Sequence, residues 1–229
     1  MKILHISDTH THHGLLDIPK DIDMIIFSGD CSNPKDPYLN REEVLNFIEW
    51  MKSLDVKYKI MCAGNHDVSI ERNFITQGDF LEAGIIYLEN DYLVIAEGLK
   101  IFGSPQTPSF GNGWAFNKKR EKMHDHWKHI PDDVDIIITH GPPKGVLDIS
   151  YDRNNNLERC GDSALLKRVL QIKPKLVCFG HIHNTEDIIN AGTMTLSAYP
   201  EITFSNGSVV TDGKFGKLSS HGNIFEIKK

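Results

Sequence analysis

The chain has 229 residues, 40% of them hydrophobic, and a formal net charge of −6 at pH 7. That length suits one large domain over residues 1–229 with a sizeable core. The acidic balance excludes an extended nucleic-acid surface, which needs clustered Lys and Arg, and no apolar run is long enough to span a bilayer or to make a secretory signal after Met1 and Lys2.

In chain order, short apolar runs recur and each stops at a polar signature. "KILHIS" runs into "DTH", "DMIIFS" into "GD", and "YKIMCA" into "GNHD". Later "DIIIT" runs into "HGPP", and "KLVCFG" into "HIH". Runs this short, rich in Ile and Val and bounded by Gly or Asp, predict buried strands. Between them, residues 41–54 place Val44, Phe47, Ile48, Met51 and Leu54 on one face and predict a helix capped by Asn40. Residues 162–172 predict a second helix, with Asp162 as cap and Pro174 just past its end. From about Thr193 onward the pattern is short strands separated by turns at "SNGS", "TDGKFG" and "SHGN". Strands alternating with helices predict an α/β fold, whose ligands gather beyond the carboxyl ends of the strands. All the polar signatures fall there.

The signatures carry Asp8, His10, Asp30, Asn65, His66, Asp67, His140, His181 and His183. Any one of them alone is an ordinary turn sequence; the conjunction at one sheet edge is what points to chemistry. In "GHIH", residues two apart on a continuing strand share a face, whereas a tight turn after Gly180 aims the imidazoles at neighbouring points. Imidazoles mixed with carboxylates suit Mn²⁺, Fe²⁺ or Zn²⁺, and these side chains are too many for one tetrahedral ion. Two ions sharing a bridging carboxylate are the standard apparatus for displacement at phosphorus. The four cysteines are widely spaced and form no CxxC pair, so free thiols in a reducing cytoplasm are expected.

D-x-H, G-D, G-N-H-D, a histidine before glycine and G-H-x-H together resemble the signature of the calcineurin-like metallophosphoesterases. "IFGSPQTPSFGNGWAFN", "ITHGPPKGVLD" and "RCGDSALLKRVLQIKPKLVCFGHIH" are similar to one branch of it, the metallophosphoesterase-domain (MPPED-like) phosphodiesterases, well outside the metal motifs. The resemblance spans residues 3 to about 192. It implies a four-layer αββα sandwich, two mixed sheets packed face to face with helices outside. It also implies two divalent ions, Mn²⁺ first among them: Asp8, His10 and His183 on one, Asn65, His140 and His181 on the other, and Asp30 bridging. It further implies that a hydroxide bridging the ions would attack the phosphorus, that His66 would protonate the leaving oxygen, and that Asp67 would orient His66. The branch commonly has Glu where this chain has Asp67.

The same resemblance implies phosphodiester hydrolysis of small nucleotides, cyclic ones included, by a cytoplasmic enzyme that meets no membrane. Trp114 or Phe116 could stack on a nucleobase, with Asn117 or Arg159 meeting its polar groups; packing of these aromatics onto the body is the competing reading. A phosphomonoesterase or phosphoprotein phosphatase uses the same metals, the latter usually with arginines beside the motifs, but Cys31 follows "GD" and Val68, Ser69 and Ile70 follow "GNHD". A non-catalytic nucleotide-binding protein of this fold would have lost ligands, and none is lost. The C-terminal strands could pair between chains into a homo-oligomer.

Overall fold

The computed structural model describes residues 1–213 and 216–227. In a five-stranded sheet, β1 (Lys2–Ile6), β2 (Met24–Phe27), β3 (Tyr58–Met61) and β4 (Ile86–Tyr87) are parallel, and β15 (Asn223–Glu226) adds antiparallel in the order β15-β1-β2-β3-β4. A six-stranded sheet has a parallel centre of β6 (Lys100–Ser104), β9 (Ile136–Thr139), β12 (Leu176–Phe179) and β14 (Tyr199–Asn206). Its antiparallel edges are β5 (Asp91–Val94) beside β6 and β13 (Gly192–Leu196) beside β14. Two short ribbons lie apart: β7 (Thr107–Pro108) with β8 (Asn117–Lys118), and β10 (Ile149–Tyr151) with β11 (Leu157–Arg159).

Alternation along each strand divides the apolar residues between two faces. Ile3, Met24, Ile26 and Ile60 of the first sheet meet Ile101, Ile136, Ile138, Leu176 and Cys178 of the second. The opposite residues Leu4, Ile6, Ile25, Phe27 and Met61 pack under α1 (Pro37–Ser53), α2 (Val68–Glu71) and α3 (Gln77–Glu82). Phe102, Ile137, Val177 and Phe179 pack under α4 (Met123–Trp127) and α5 (Ser163–Ile172). Three apolar interfaces between four layers make the αββα sandwich that the family resemblance implies.

The helix predicted over 41–54 starts earlier, at Pro37. Asp36 is its cap, accepting from the Tyr38 and Leu39 N–H groups, and proline at the first position needs no partner for a missing N–H. Asn40 is therefore not the cap but an interior, fully buried helical residue. Asp162 does cap α5, accepting from the Ala164 N–H, while its other oxygen takes the buried Trp127 indole N–H at 2.6 Å and ties α4 to α5. The C-terminal segment contains strands, as predicted; the turn at "TDGKFG" includes residues 214 and 215, which lie outside the described residues. No helix among the described residues is long and apolar enough to cross a membrane.

The carboxyl ends of β1, β2, β3, β9 and β12 open onto one rim. There the chain after β14 crosses over to the end of β1: the Ser7 N–H donates to the Gly207 carbonyl at 2.8 Å and the Val209 N–H to the Ser7 carbonyl at 3.1 Å. This link joins the two sheets where the polar signatures sit. Truncating Ile138→Ala in the interface between the sheets should cost about 2–5 kcal/mol in urea denaturation, whereas Met194→Ala on the exposed edge strand should stay within about 0.5 kcal/mol.

Candidate metal centre

The strands stop just short of the polar residues, and the backbone there turns sharply. Asp8 (φ 51°), His10 (φ 42°), Asp30 (φ 61°) and His181 (φ 71°) all occupy the left-handed region. For residues other than glycine this conformation costs of order 1–3 kcal/mol, and it clusters where geometry serves function. The tight-turn reading of "GHIH" is the one observed. His183 joins Asp8 and His10, while His181 joins Asp30 and His140; within each group the potential ligand atoms lie within 4.8 Å of one another.

Glycines make the loops' approach feasible. A Cβ on Gly180 would overlap the Asp8 carboxylate and the Ser7 hydroxyl, and one on Gly64 would overlap the Asp30 carboxylate. Both positions exclude every other residue on steric grounds.

In the first group the Asp8 carboxylate faces His183 Nε2 at 3.0 Å and accepts from the Ser208 hydroxyl at 2.7 Å and the His181 N–H at 3.1 Å. Burial alone would raise the Asp8 pKa, but the charge and hydrogen bond of His183, with His140 and His10 nearby, hold it well below the usual carboxylate range. His10 Nδ1 faces the Ser32 carbonyl at 3.1 Å, so that nitrogen carries the proton and Nε2 keeps its lone pair. The buried Nδ1 of His183 has no hydrogen-bond partner among the described residues.

In the second group His140 Nδ1 donates to the Ser28 carbonyl at 2.8 Å, and its Nε2 faces Asn65 Oδ1 at 2.9 Å and Asp30 Oδ2 at 3.2 Å. Burial opposes charging His140, yet the Asp30 carboxylate raises its pKa to about 9. Burial, with the His140 charge beside it, pushes His181 down to about 3. Asp30 stands between the groups, and a third cluster contains His10, Asp30 and His66.

His66 Nδ1 faces the Asn33 carbonyl at 3.2 Å, and its ring stacks at a tilt on Trp114 with centroids 4.1 Å apart. Asp67 does not orient this imidazole as the sequence reading expects. Its fully buried carboxylate accepts from the N–H groups of Asp30 (2.9 Å), Cys31 (3.1 Å) and Gly64 (2.8 Å) and from the Ser32 hydroxyl (2.8 Å). Asp67 thus fixes the two loops that carry Asp30 and His66, not the ring itself.

The expected base-binding residues separate in space. Trp114 is half-buried between His66 and the Lys35 ammonium, which sits 3.9 Å from its ring centroid. Phe116 is 4% exposed within the core under α1, so it cannot stack on a ligand. Asn117 is spent locally, donating to the Ala115 carbonyl and accepting from the Phe110 N–H. Arg159 does line a cavity next to His181, where the buried Asp148 carboxylate holds its guanidinium at 3.0 Å. The sequence reading passes over Phe110, whose exposed ring lies 4.8 Å from that of His181, and Ser208, which holds Asp8. Phe110 sits in the stretch "IFGSPQTPSFGNGWAFN" quoted above, but nothing in the local pattern separates it from the buried Phe116.

Residues 1–185 match the calcineurin-like phosphoesterase family. Metallophosphoesterase domain-containing protein 1 of Homo sapiens is 35% identical over 214 residues, covering 83% of this chain and 63% of its own length. A UPF0046 protein of Caenorhabditis elegans is 35% identical over 208 residues, covering 85% of this chain and 68% of its own. The chain thus spans a little under two thirds of its human relative. One solved structure has a TM-score of 0.65 at 13% identity, covering 90% of this chain and 89% of its own. Another, from Thermus thermophilus, has a TM-score of 0.61 at 12% identity, covering 90% and 88%. The shared fold is that of the metallo-dependent phosphatases.

The family implies divalent metal ions, and the residues fit them. Imidazole nitrogens and carboxylate or amide oxygens converge in two adjoining groups, His183 keeps a buried Nδ1 without a partner among the described residues, and no described lysine or arginine lines the cavity at their centre. Because a Cβ at position 180 would displace the Asp8 carboxylate, Gly180→Ala should weaken Mn²⁺ binding at least about ten-fold by titration calorimetry. An unchanged isotherm would contradict this placement of Asp8.

Proposed function

The chain belongs to the calcineurin-like phosphoesterase family, and from that premise we propose that it is a metal-dependent phosphodiesterase of small nucleotides, cyclic nucleotides included. One observation carries the diester reading. A central cavity of about 150 Å³ adjoins a groove of about 680 Å³ through His10, His66, His183 and Asp212, and a second groove of about 210 Å³ through Phe110 and His181. The two outer grooves share no lining residue among those described. A monoester needs room for one substituent on phosphorus; a diester needs room for two, on different sides.

Asp8, His10 and His183 would hold one ion and Asn65, His140 and His181 the other, with Asp30 shared; Mn²⁺ is the first choice. When bound, the ions supply Lewis acidity to the phosphoryl group and make water more acidic. The chain's own residues do the rest. His66, with Nδ1–H anchored on the Asn33 carbonyl, is left with Nε2 to carry a transferable proton to the leaving oxygen. Ser208 and the His181 N–H keep the Asp8 carboxylate in place.

The smaller groove suits a nucleoside. Phe110 offers a stacking face, and the guanidiniums of Arg120 and Arg159 are balanced by Glu158 and by Asp148 behind Arg159, which favours an uncharged polar substituent over a second phosphate. No arginine is among the described residues that line the central cavity, which argues against a phosphoprotein phosphatase. Cys31, Cys62 and Cys178 are buried and unpaired, in keeping with a reducing, cytoplasmic setting.

With Mn²⁺, the protein should hydrolyse 2′,3′- or 3′,5′-cyclic nucleotides and p-nitrophenyl diesters; turnover of phosphomonoesters alone would end the diester reading. His66→Gln should lower kcat on a nucleotide substrate by about 10²–10⁴-fold with KM little changed. Phe110→Ala should raise KM for nucleotides by about ten-fold or more in steady-state assays, and an unchanged KM would remove Phe110 from base recognition.

A further inference from the structure

We propose that Asn40 is a positioning residue: from inside α1, its carboxamide fixes the segment at residues 32–34, from which the Asn33 carbonyl aims His66. The inference rests on the reading of His66 as proton donor given above. Asparagine is a poor interior helix residue, and a fully buried one must satisfy its polar atoms. Asn40 does so entirely outside its own helix turn. The two hydrogens of its Nδ2 are shared among Ser32 Oγ (2.9 Å), the Pro34 carbonyl (2.9 Å) and the His66 carbonyl (2.8 Å), and its Oδ1 accepts from the Ser69 N–H (2.9 Å).

These partners come from the loop after β2 and from the loop and short helix after β3. The segment they hold carries the carbonyl that orients the proton donor: the Asn33 carbonyl faces His66 Nδ1 at 3.2 Å. That carbonyl can only accept, so it decides which nitrogen of His66 is anchored and which is left free for chemistry. The other tie between α1 and this segment, Asn33 to Glu43, is exposed to solvent and correspondingly weak. Ser32 extends the clip, since its hydroxyl also donates to Asp67 at 2.8 Å.

Asn40→Asp keeps the shape and the acceptor for Ser69 but points an oxygen at the Pro34 and His66 carbonyls, which can only accept. The test uses the full chain loaded with Mn²⁺ and two diesters that differ in leaving group, a p-nitrophenolate and an alkoxide. A misplaced proton donor matters for the alkoxide and hardly for the nitrophenolate. Expected for Asn40→Asp is a fall in kcat of about ten-fold or more on the alkyl ester and under about three-fold on the aryl ester, with KM and Mn²⁺ stoichiometry near wild type. Equal losses on both esters, or no loss, would overturn the proposal. Should Asn40→Asp fail to fold, Ser32→Ala must show the same split, and its absence counts equally against the proposal. If the wild type hydrolyses neither ester, or if His66→Gln shows no dependence on leaving group, the reading of His66 has failed and takes this inference with it. If His66→Gln shows the dependence and the Asn40 and Ser32 variants do not, this inference alone fails.

Discussion

Asp67 is fully buried, yet its carboxylate gathers donors from two loops: the N–H groups of Asp30 and Cys31 and the Ser32 hydroxyl after β2, and the Gly64 N–H after β3. Burial and the neighbouring Asp30 charge push its pKa up, and these donors work against them. Removing the carboxylate would leave several buried donors unpaired, at about 1–3 kcal/mol each. The geometry of the rim depends on this knot. It brings the Asp30 carboxylate to the His66 N–H at 2.7 Å and so sets Asp30 between the two ligand groups.

Around that knot the scaffold tolerates unusual strain. Several candidate ligands have left-handed backbones, and the glycines beside them leave no space for a methyl group. Such conformations persist only where the surroundings over-determine them. Here the surroundings are the parallel strands behind the rim, each buried on both faces, and the crossover of residues 207–209 onto Ser7. Stability built from apolar burial in the sandwich supports a rim whose own backbone is unfavourable.

The electrostatics of the rim follow the same division. The chain is acidic overall, and among the described residues that line its central cavity none is a lysine or arginine. On the proposed reading, attraction for a phosphate depends on the metal ions, while the surrounding grooves contribute shape, a stacking ring and balanced polar groups.

The local pattern made much of this protein readable in one dimension. Apolar runs ending in Gly or Asp identify the strands that carry the site, because a strand buried on both faces must be apolar throughout and must end where polar groups meet water. Asp162 and the apolar face of α5 are equally local. The short strands β5 and β6 are not: β5 is an exposed edge, and β6 holds Gly103 against Leu88, so neither shows a clean alternation.

The candidate ligands could be named from the sequence because their residue types and order are unusual in combination. What each neighbouring polar residue does could be decided only by packing. Asn40 looks like a helix cap and is a buried clip; Asp67 looks like a partner for His66 and is a knot between loops; Phe116 looks like a stacking ring and lies in the core, while Phe110 is exposed beside His181. A sequence states which hydrogen-bonding groups and rings exist. Which partners they reach depends on contacts between segments far apart in the chain, and those exist only once the two sheets have closed upon each other.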